Sequence, residues 1–456
     1  MTTVAPSVLV LPFRAMKALA LPEFMLERRP DDILWDVVEQ HLEETTFFWS
    51  QWERGLVAPD YSLTELAERV EERLHAHLQG LIFGGRPVAE RLLRPVLELP
   101  EDELDPPQLT AAALALLEGW DDTQAEAVVA RFQECGAAQR AAIQRALERA
   151  TRENIITRLV PLLGRAEPDL QAAVLEIVAF RGEKPGFGLE HLLTSEEPRL
   201  VAGALRIART QPARTLKPEF LRRPLLWPET RDLALEVAVI HGDQRAWPLC
   251  RELVATRRPE SRTAMVLLAM HGGRSELELL LDCLAIPEQR RDALWALGFS
   301  GHLEAVAACL ELLNDTECRR LAGEAFSAIT GLELTEQFAR EEQEEPREEP
   351  IPLEEERLDE DLLPAPEAAI PLPEPEAIRA WWKDARRDFS PGTRYLYGSP
   401  LDRESLLNAL ETAPMRRRHV LALRLAIESR GELQLNTLAS TSRQLQQLAR
   451  ARGRHV

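Results

Sequence analysis

Histidine can bind metals and transfer protons, and three histidines stand in the first part of the chain. His41 is followed by His75 and His77, which are two positions apart. Two histidines on a helix converge on one metal ion when they are four positions apart, whereas a spacing of two places their imidazoles on different sides. We therefore predict packed or cap-forming histidines, with neither a metal site nor a cofactor.

A second pair, His241 and His271, occupies equivalent places just before Gly242 and Gly272. Equivalent positions in neighbouring repeats lie about a repeat apart, which argues against a catalytic pair. An imidazolium near the end of a helix can instead face the free carbonyl groups there. We predict this helix-end role for both histidines.

The five cysteines are scattered through helical patterns and are never spaced as C-x-x-C: Cys135, Cys250, Cys283, Cys309 and Cys318. An odd number without such spacing predicts reduced, packed thiols and a cytoplasmic location. The sequence also lacks a phosphate-binding loop, a dinucleotide fingerprint, a Gly-x-Ser-x-Gly motif and a Cys/His nucleophile arrangement. We therefore predict that the protein is not an enzyme.

The strongest candidates for a binding site lie near the C-terminus. Arg416, Arg417 and Arg418 form the densest basic group, and Trp381 and Trp382 form an aromatic pair. Three interpretations of the arginines stay open: pairing with acidic residues of the same chain, binding to an acidic face of another protein, or contact with nucleic acid. The tryptophans are either interface anchors or core residues.

Charge is distributed unevenly along this chain of 456 residues, whose formal net charge is −20. Residues 341–376 carry 15 acidic and 2 basic side chains, whereas residues 377–456 carry 15 basic and 7 acidic ones. The first 340 residues hold a net −15. Because an acidic body repels phosphate backbones, we expect no nucleic-acid partner. No stretch approaches the roughly 20 apolar residues of a membrane span, so we expect no membrane insertion.

These side chains must be positioned by helices, because the apolar residues recur with a helical period. Short apolar runs end at residues that are 30, 30, 30, 29 and 30 positions apart, namely Gly182, Pro212, Gly242, Gly272, Gly301 and Gly331. Such a period indicates repeated pairs of helices that stack on their neighbours. The predicted fold class is therefore all-α, an α-solenoid with about 30 residues per repeat.

Aligning the repeats on their closing residues reveals a buried column. Seven positions before the closing residue stand Leu175, Leu205, Leu235, Met265 and Leu294, and Glu324 interrupts this column in the last repeat. A small residue generally precedes each member, and alternation of large and small side chains lets stacked helices approach closely.

The predicted organisation has five parts. They are an extended lead-in at 1–30, an N-terminal helical region at 31–106, the repeat array at 107–332, an acidic Pro/Glu-rich linker at 333–376 and a small basic helical module at 377–456. Within the N-terminal region, the pattern from Ser62 to Leu78 predicts a helix that ends at Gly80. The basic module either docks on the array or binds a partner.

Residues 137–332 resemble the HEAT-repeat family, in particular its short bacterial form in bilin-lyase-like proteins. Further segments are similar to bacterial HEAT-repeat proteins of unknown activity that are commonly encoded with type VI secretion components. These segments are HLEETTFFW, YSLTELAERVEERLHAHLQGL and FSAITGLEL, together with the C-terminal WW, RYLYG and RQLQQLA. The resemblance implies a setting linked to secretion, and it carries over no functional residues.

The sequence thus predicts a non-catalytic, protein-binding scaffold, adaptor or chaperone, with a secretion component or an effector as the partner that the resemblance implies. One alternative is an immunity-type protein that binds and masks a toxic effector. Another is a HEAT-like nucleic-acid binder or DNA-repair glycosylase, which the acidic array disfavours because such proteins need a basic groove. The oligomeric state stays open.

Overall fold

The computed structural model describes residues 29–164, 166–183, 186, 188–213, 215–258, 260–340 and 367–453. Most of the predicted lead-in and residues 341–366 of the predicted linker lie outside these ranges. About 70% of the described residues are helical and almost none lie in strands, which confirms the predicted all-α class. No helix in the described part is long and apolar enough to cross a bilayer.

The described residues form two compact units. The first comprises those of Met1–Arg54, Glu65–Pro185 and Ala439–Gln446. Its helices, some of which extend past these limits, are α1 (Trp35–Gly55), α2 (Leu63–Leu66), α3 (Glu72–Phe83), α4 (Gly85–Val88), α5 (Arg94–Leu97), α6 (Pro106–Glu118), α7 (Asp122–Glu134), α8 (Ala137–Arg149), α9 (Ile155–Leu159) and α10 (Pro168–Arg181).

Stacking in the first unit runs from one helix to the next. Helix α8 lies between α6 and α10, and α3 packs against α6. Two π-helical turns, Ala67–Glu71 and Ala89–Leu93, interrupt the α-helical pattern before α3 and after α4. The buried carboxylate of Glu71 holds the short C-terminal segment in this unit. It accepts hydrogen bonds from the Trp52 indole at 2.8 Å and from the Thr441 amide at 2.9 Å.

The second unit comprises the described residues of Gly55–Thr64, Gly186–Leu438 and Gln447–Val456. Its array helices are α11 (Glu190–Leu193), α12 (Pro198–Arg209), α13 (Pro228–Ile240), α14 (Ala246–Ala255), α15 (Arg262–His271), α16 (Arg274–Cys283), α17 (Pro287–Leu297), α18 (Leu303–Leu312) and α19 (Arg319–Thr330). The remaining helices are α20 (Pro375–Ala385), α21 (Arg403–Thr412), α22 (Met415–Glu428) and α23 (Thr441–Gly453), of which α23 begins in the first unit.

Within the second unit, the helices that close each sequence repeat form an ordered series. Helix α12 packs on α13, α13 on α15, α15 on α17 and α17 on α19. The intervening helices α14 and α16 each pack on the two members of the series that flank them. Proline at the first helical position, as in Pro198, Pro228 and Pro287, begins three of these helices.

The apolar column predicted from the sequence lies in the core. Leu205, Leu235, Met265 and Leu294 have no exposed surface, and the same is true of Leu175 in the first unit. Complete burial of one such side chain contributes about 2 kcal/mol to folding. The column therefore contributes to the core of each unit.

Gly182, Gly272 and Gly331 directly follow helices, whereas Gly242 lies one residue and Gly301 three residues beyond the capping residue of the preceding helix. Gly182, Gly242, Gly301 and Gly331 have positive φ angles, which glycine adopts without strain. Gly272 instead has a φ of −66° and an extended backbone.

Two closing glycines also make room for another segment of the second unit. The Tyr395 amide donates to the Gly301 carbonyl at 2.8 Å, and the Gly398 amide donates to the Ile329 carbonyl at 3.0 Å. A Cβ atom on Gly301 would lie 2.7 Å from the Tyr395 carbonyl oxygen, and one on Gly331 would lie 2.6 Å from that of Tyr397. The RYLYG segment therefore docks directly on helix ends of the array.

Both ends of the predicted acidic linker have regular structure and packed side chains. Strand β1 (Ala339–Arg340) pairs antiparallel with β2 (Leu372–Pro373), and Ile370 is 2% exposed. A second short pair joins β3 (Tyr395–Leu396) to β4 (Ser399–Pro400). The low-hydrophobicity composition that predicted a linker is concentrated between residues 341 and 366, whereas apolar residues follow it.

Two glycine substitutions separate backbone strain from steric overlap. Gly242 and Gly301 have φ angles of 77° and 71°, but a Cβ atom on Gly242 would meet nothing within 4 Å. We expect Gly242→Ala to lower the free energy of unfolding by about 1 kcal/mol, since only the left-handed conformation is penalised. Gly301→Ala adds overlap with the Tyr395 backbone and should lower it by about 2 kcal/mol more. Urea unfolding measures both values, and equal losses would contradict docking of RYLYG at Gly301.

Candidate functional site

The three arginines predicted as a binding group lie inside the second unit. Arg416, Arg417 and Arg418 begin helix α22 and are 7%, 2% and 0% exposed. The Arg417 Nη2 donates to the Gly298 carbonyl at 2.9 Å, and the Arg418 Nε donates to the Leu410 carbonyl at 2.6 Å. Burial lowers the pKa of Arg418 to about 10.

The carboxylate that faces these arginines is Glu324, the residue that interrupts the apolar column. Its Oε1 lies 3.5 Å from the Arg416 Nε and its Oε2 lies 3.7 Å from the Arg417 Nη1, and the Glu324 side chain is 8% exposed. A second carboxylate, Glu367, lies 3.8 Å from the Arg416 Nη2. A buried charge needs such partners, because removal from water disfavours it strongly.

Aromatic rings complete the surroundings of the arginines. The Arg416 guanidinium lies 4.7 Å from the centre of the Trp295 ring, and that of Arg417 lies 4.1 Å from the centre of the Phe299 ring. The ring faces attract the cations electrostatically. Arg416 and Arg417 are thus held by groups of the same chain, including one acidic residue of the predicted linker.

The tryptophan pair is half-buried against the same unit. The Trp382 ring centre lies 5.7 Å from that of Phe326 on α19 and 5.1 Å from that of Phe389. Trp381 also contacts Phe326, with ring centres 6.1 Å apart. Both tryptophans therefore pack on the array, and part of each side chain faces solvent.

Arginines also satisfy the carbonyl groups at helix ends. In the second unit, Arg394 donates to the Met270 carbonyl at 2.5 Å at the end of α15. In the first unit, Arg181 donates to the Ala150 carbonyl at 2.6 Å after α8, and Arg443 donates to the Arg181 carbonyl at 2.7 Å at the end of α10. Helix C-termini favour cations because their last carbonyl groups carry partial negative charge.

The repeated histidines occupy helix ends as predicted, but burial favours their neutral form. The His241 Nε2 lies 3.2 Å from the Ala208 carbonyl oxygen, so the imidazole joins the ends of α12 and α13. Burial lowers the pKa of His241, and burial together with the nearby Arg424 and Arg394 lowers that of His271 to about 4. A charged imidazolium is therefore disfavoured at both helix ends, because burial outweighs the attraction of the carbonyl groups.

The N-terminal histidines form a contact pair. The Nδ1 atoms of His41 and His77 lie 3.1 Å apart, and burial lowers the pKa of His41. No cluster of three or more His, Cys, Asp or Glu side chains suited to a metal ion occurs among the described residues. The prediction that Gly80 ends a helix is wrong, since Gly80 lies within α3. The absence of a side chain at Gly80 instead makes room for the His41 ring.

All five cysteines are buried and unpaired. Burial raises the pKa of Cys250 and of Cys309 to about 12, which keeps both thiols protonated at neutral pH. Because the thiolate is the reactive form, these two residues are poor nucleophiles.

Exposed carboxylates recur on the helices that intervene between members of the stacked series. We call this set the acidic face; it comprises Glu252 on α14, Glu278 and Asp282 on α16, and Glu304 and Glu311 on α18. The same helices also expose Arg251 and Arg274, and Arg274 pairs with Glu278 at 2.9 Å. Sequence reasoning noted the acidity of the array without locating it. Helical position relative to the buried leucines could have identified these residues, since side chains opposite the apolar stripe face solvent.

The fold and these contacts define an all-α protein of stacked helices, with buried arginines in its interior and an acidic face. No protein-family model matches the chain. No curated protein matches it. Among solved structures, the chain is similar to a crystal structure described as that of an engineered protein, at 15% identity and a TM-score of 0.28, over 83% of this chain and 99% of that chain.

The Glu324 carboxylate should be essential for stability. Glu324→Gln leaves Arg416 and Arg417 without their shared counter-charge, and we expect the free energy of unfolding to fall by about 3 kcal/mol. Glu278→Gln provides the matched control, because Glu278 is 62% exposed in its pair with Arg274 and should contribute less than about 0.5 kcal/mol. Chemical unfolding distinguishes the two, and similar losses would show that Glu324 is not an interior ion-pair partner.

His271 should make stability dependent on pH. Its pKa is about 4 in the folded chain, below the ordinary value of 6.5. As the pH falls, the unfolded chain binds a proton first, so the stability present above pH 6.5 is progressively lost down to pH 4. We expect wild-type protein to lose about 1–2 kcal/mol more between pH 7 and pH 5 than His271→Gln. His191→Gln, at an exposed position, should retain the wild-type pH dependence. If wild-type protein and His271→Gln lost the same free energy of unfolding between pH 7 and pH 5, the lowered pKa of His271 would be contradicted.

Proposed function

We propose that this protein is a non-catalytic scaffold of HEAT-like helix repeats that binds another protein through its acidic face. The observation that carries the proposal is the ordered stacking of α12, α13, α15, α17 and α19, in which successive members pack on each other. Such stacking produces an extended surface whose exposed residues are free to vary. The repeat period of about 30 residues supports a solenoid architecture.

The charges of the second unit indicate which surface is available to a partner. Arg416, Arg417 and Arg418 have less than a tenth of their surface exposed, so they offer little to an acidic protein or to a phosphate backbone. The carboxylates of the acidic face are exposed. A partner with a basic surface is therefore favoured, because opposite potentials attract and orient two proteins before contact.

The buried cysteines also support a binding role, since Cys250 and Cys309 have protonated thiols at neutral pH. The resemblance of the sequence to HEAT-repeat proteins encoded with type VI secretion components suggests the setting. We propose that the protein acts in the cytoplasm as an adaptor or chaperone for a secretion component or an effector.

The experiment is affinity purification of the full-length chain from cells that carry its neighbouring genes, followed by reconstitution with the purified partner. We expect a spike, tip or effector subunit of a secretion system at 1:1 stoichiometry in native salt. Failure to form a complex with any purified secretion component or effector would overturn the proposal. If the partner is a toxin and this chain protects cells from it, the protein is an immunity-type protein and not an adaptor.

Charge neutralisation tests the surface itself. The triple variant Glu252→Gln, Asp282→Asn and Glu311→Gln should weaken binding of the purified partner by about tenfold and reduce its salt dependence. A matched control neutralises three exposed carboxylates at the starts of other helices, Glu229→Gln, Glu260→Gln and Glu288→Gln. The two variants carry the same net charge, so equal weakening by both would exclude a localised acidic interface. Isothermal titration calorimetry gives both affinities.

A further inference from the structure

The contact between His41 and His77 joins helix α1 to helix α3 in the first unit. The Nδ1 atoms of the two imidazoles lie 3.1 Å apart, and the rings meet edge to face with their centres 5.2 Å apart. A hydrogen bond at this distance needs a proton on one nitrogen and a free lone pair on the other. The contact therefore accommodates one proton between the two Nδ1 atoms, but not two.

Each of the two rings is held by the opposite helix. The absence of a side chain at Gly80 makes room for the His41 ring, and a Cβ atom there would lie 2.5 Å from the Cδ2 atom of that ring. The His77 ring stacks on Phe48, with ring centres 5.8 Å apart. Gly80 lies on α3 and Phe48 lies on α1. Separation of the two Nδ1 atoms therefore requires α1 and α3 to move apart.

A second proton would place two positive charges at this contact. Burial and the charge of His77 lower the pKa of His41, and no carboxylate of the described residues offsets this. Two unit charges 3.1 Å apart repel, even in bulk water, by an energy that corresponds to about tenfold in an equilibrium constant. The doubly protonated pair therefore favours separation of α1 from α3.

Neighbouring charged groups do not compensate for this repulsion. On α3, Arg73 precedes His77 by one turn and adds a further positive charge. On α1, Glu44 follows His41 by one turn, and its attraction is weak because it is partly exposed to water. On α6, which packs against α3, the one ionisable side chain is Glu118, which is buried and hydrogen-bonded elsewhere.

We propose that the His41–His77 pair is a pH switch, which holds α1 on α3 at neutral pH and releases the N-terminal half of α1 when both rings are protonated. Val38 is buried on this half of the helix and becomes accessible on release. The C-terminal half stays attached, because the Trp52 indole donates to the buried Glu71 carboxylate. The inference concerns the first unit and does not depend on the acidic face or on a protein partner.

Hydrogen–deuterium exchange of the full-length chain, corrected for the intrinsic exchange rate at each pH, tests the switch. Because the folded pKa of His41 lies below its ordinary value of 6.5, the contact is intact above pH 6.5 and is lost as the pH falls. Between pH 7 and pH 5, we expect the protection of amides 38–46 in α1 to fall about tenfold more than that of α6.

Two variants assign this excess loss to the pair. In His77→Gln, whose side chain does not titrate, the excess should disappear. His75→Gln provides the matched control, because His75 lies on α3 two positions earlier and is also partly exposed, and it should keep the wild-type excess.

Equal losses of protection in α1 and α6 of the wild-type protein would overturn the inference. An excess that survives in His77→Gln, or that His75→Gln also removes, would do the same. Thermal unfolding at pH 7 shows whether each variant is folded. If His77→Gln is not folded, His41→Gln takes its place, and persistence of the excess in that variant would exclude the switch.

Discussion

The carbonyl groups at the C-terminal ends of the stacked helices are the constraint on which much of this structure depends. The last turn of a helix leaves these groups without partners in the same helix. In the second unit, Arg394 and Arg417 donate to the ends of α15 and α17. In the first unit, Arg181 and Arg443 do the same for α8 and α10. The same groups favour positive charge, which suits arginine to this position.

Burial accounts for part of the basic charge near the C-terminus. In the sequence, a basic segment follows an acidic one, and the sequence gives no role for the basic residues. In the second unit, however, three of them enter the interior, where Glu324, Glu367 and the Trp295 ring neutralise or attract the charges of Arg416 and Arg417. Exposed carboxylates remain on α14, α16 and α18, where they outnumber the exposed arginines Arg251 and Arg274.

Sequence reasoning succeeded where packing repeats. The buried column and the helix starts at Pro198, Pro228 and Pro287 follow from local periodicity and from the backbone preference of proline. It failed at Gly80, which accommodates the His41 ring instead of ending a helix. A glycine is needed there because a residue of another helix contacts this position. The residues near Gly80 in the sequence do not indicate that contact.

The sequence by itself therefore determined the all-α class and the members of the apolar column, because each depends on residues within a few helical turns. It also marked Glu324 as an irregularity, but without a reason. Only the tertiary structure decided that Glu324 faces Arg416 and Arg417, about 90 positions later in the chain, and that His41 meets a second histidine on another helix. Such contacts depend on where whole helices meet, and a charge or an imidazole takes its role from the partners that meet it there.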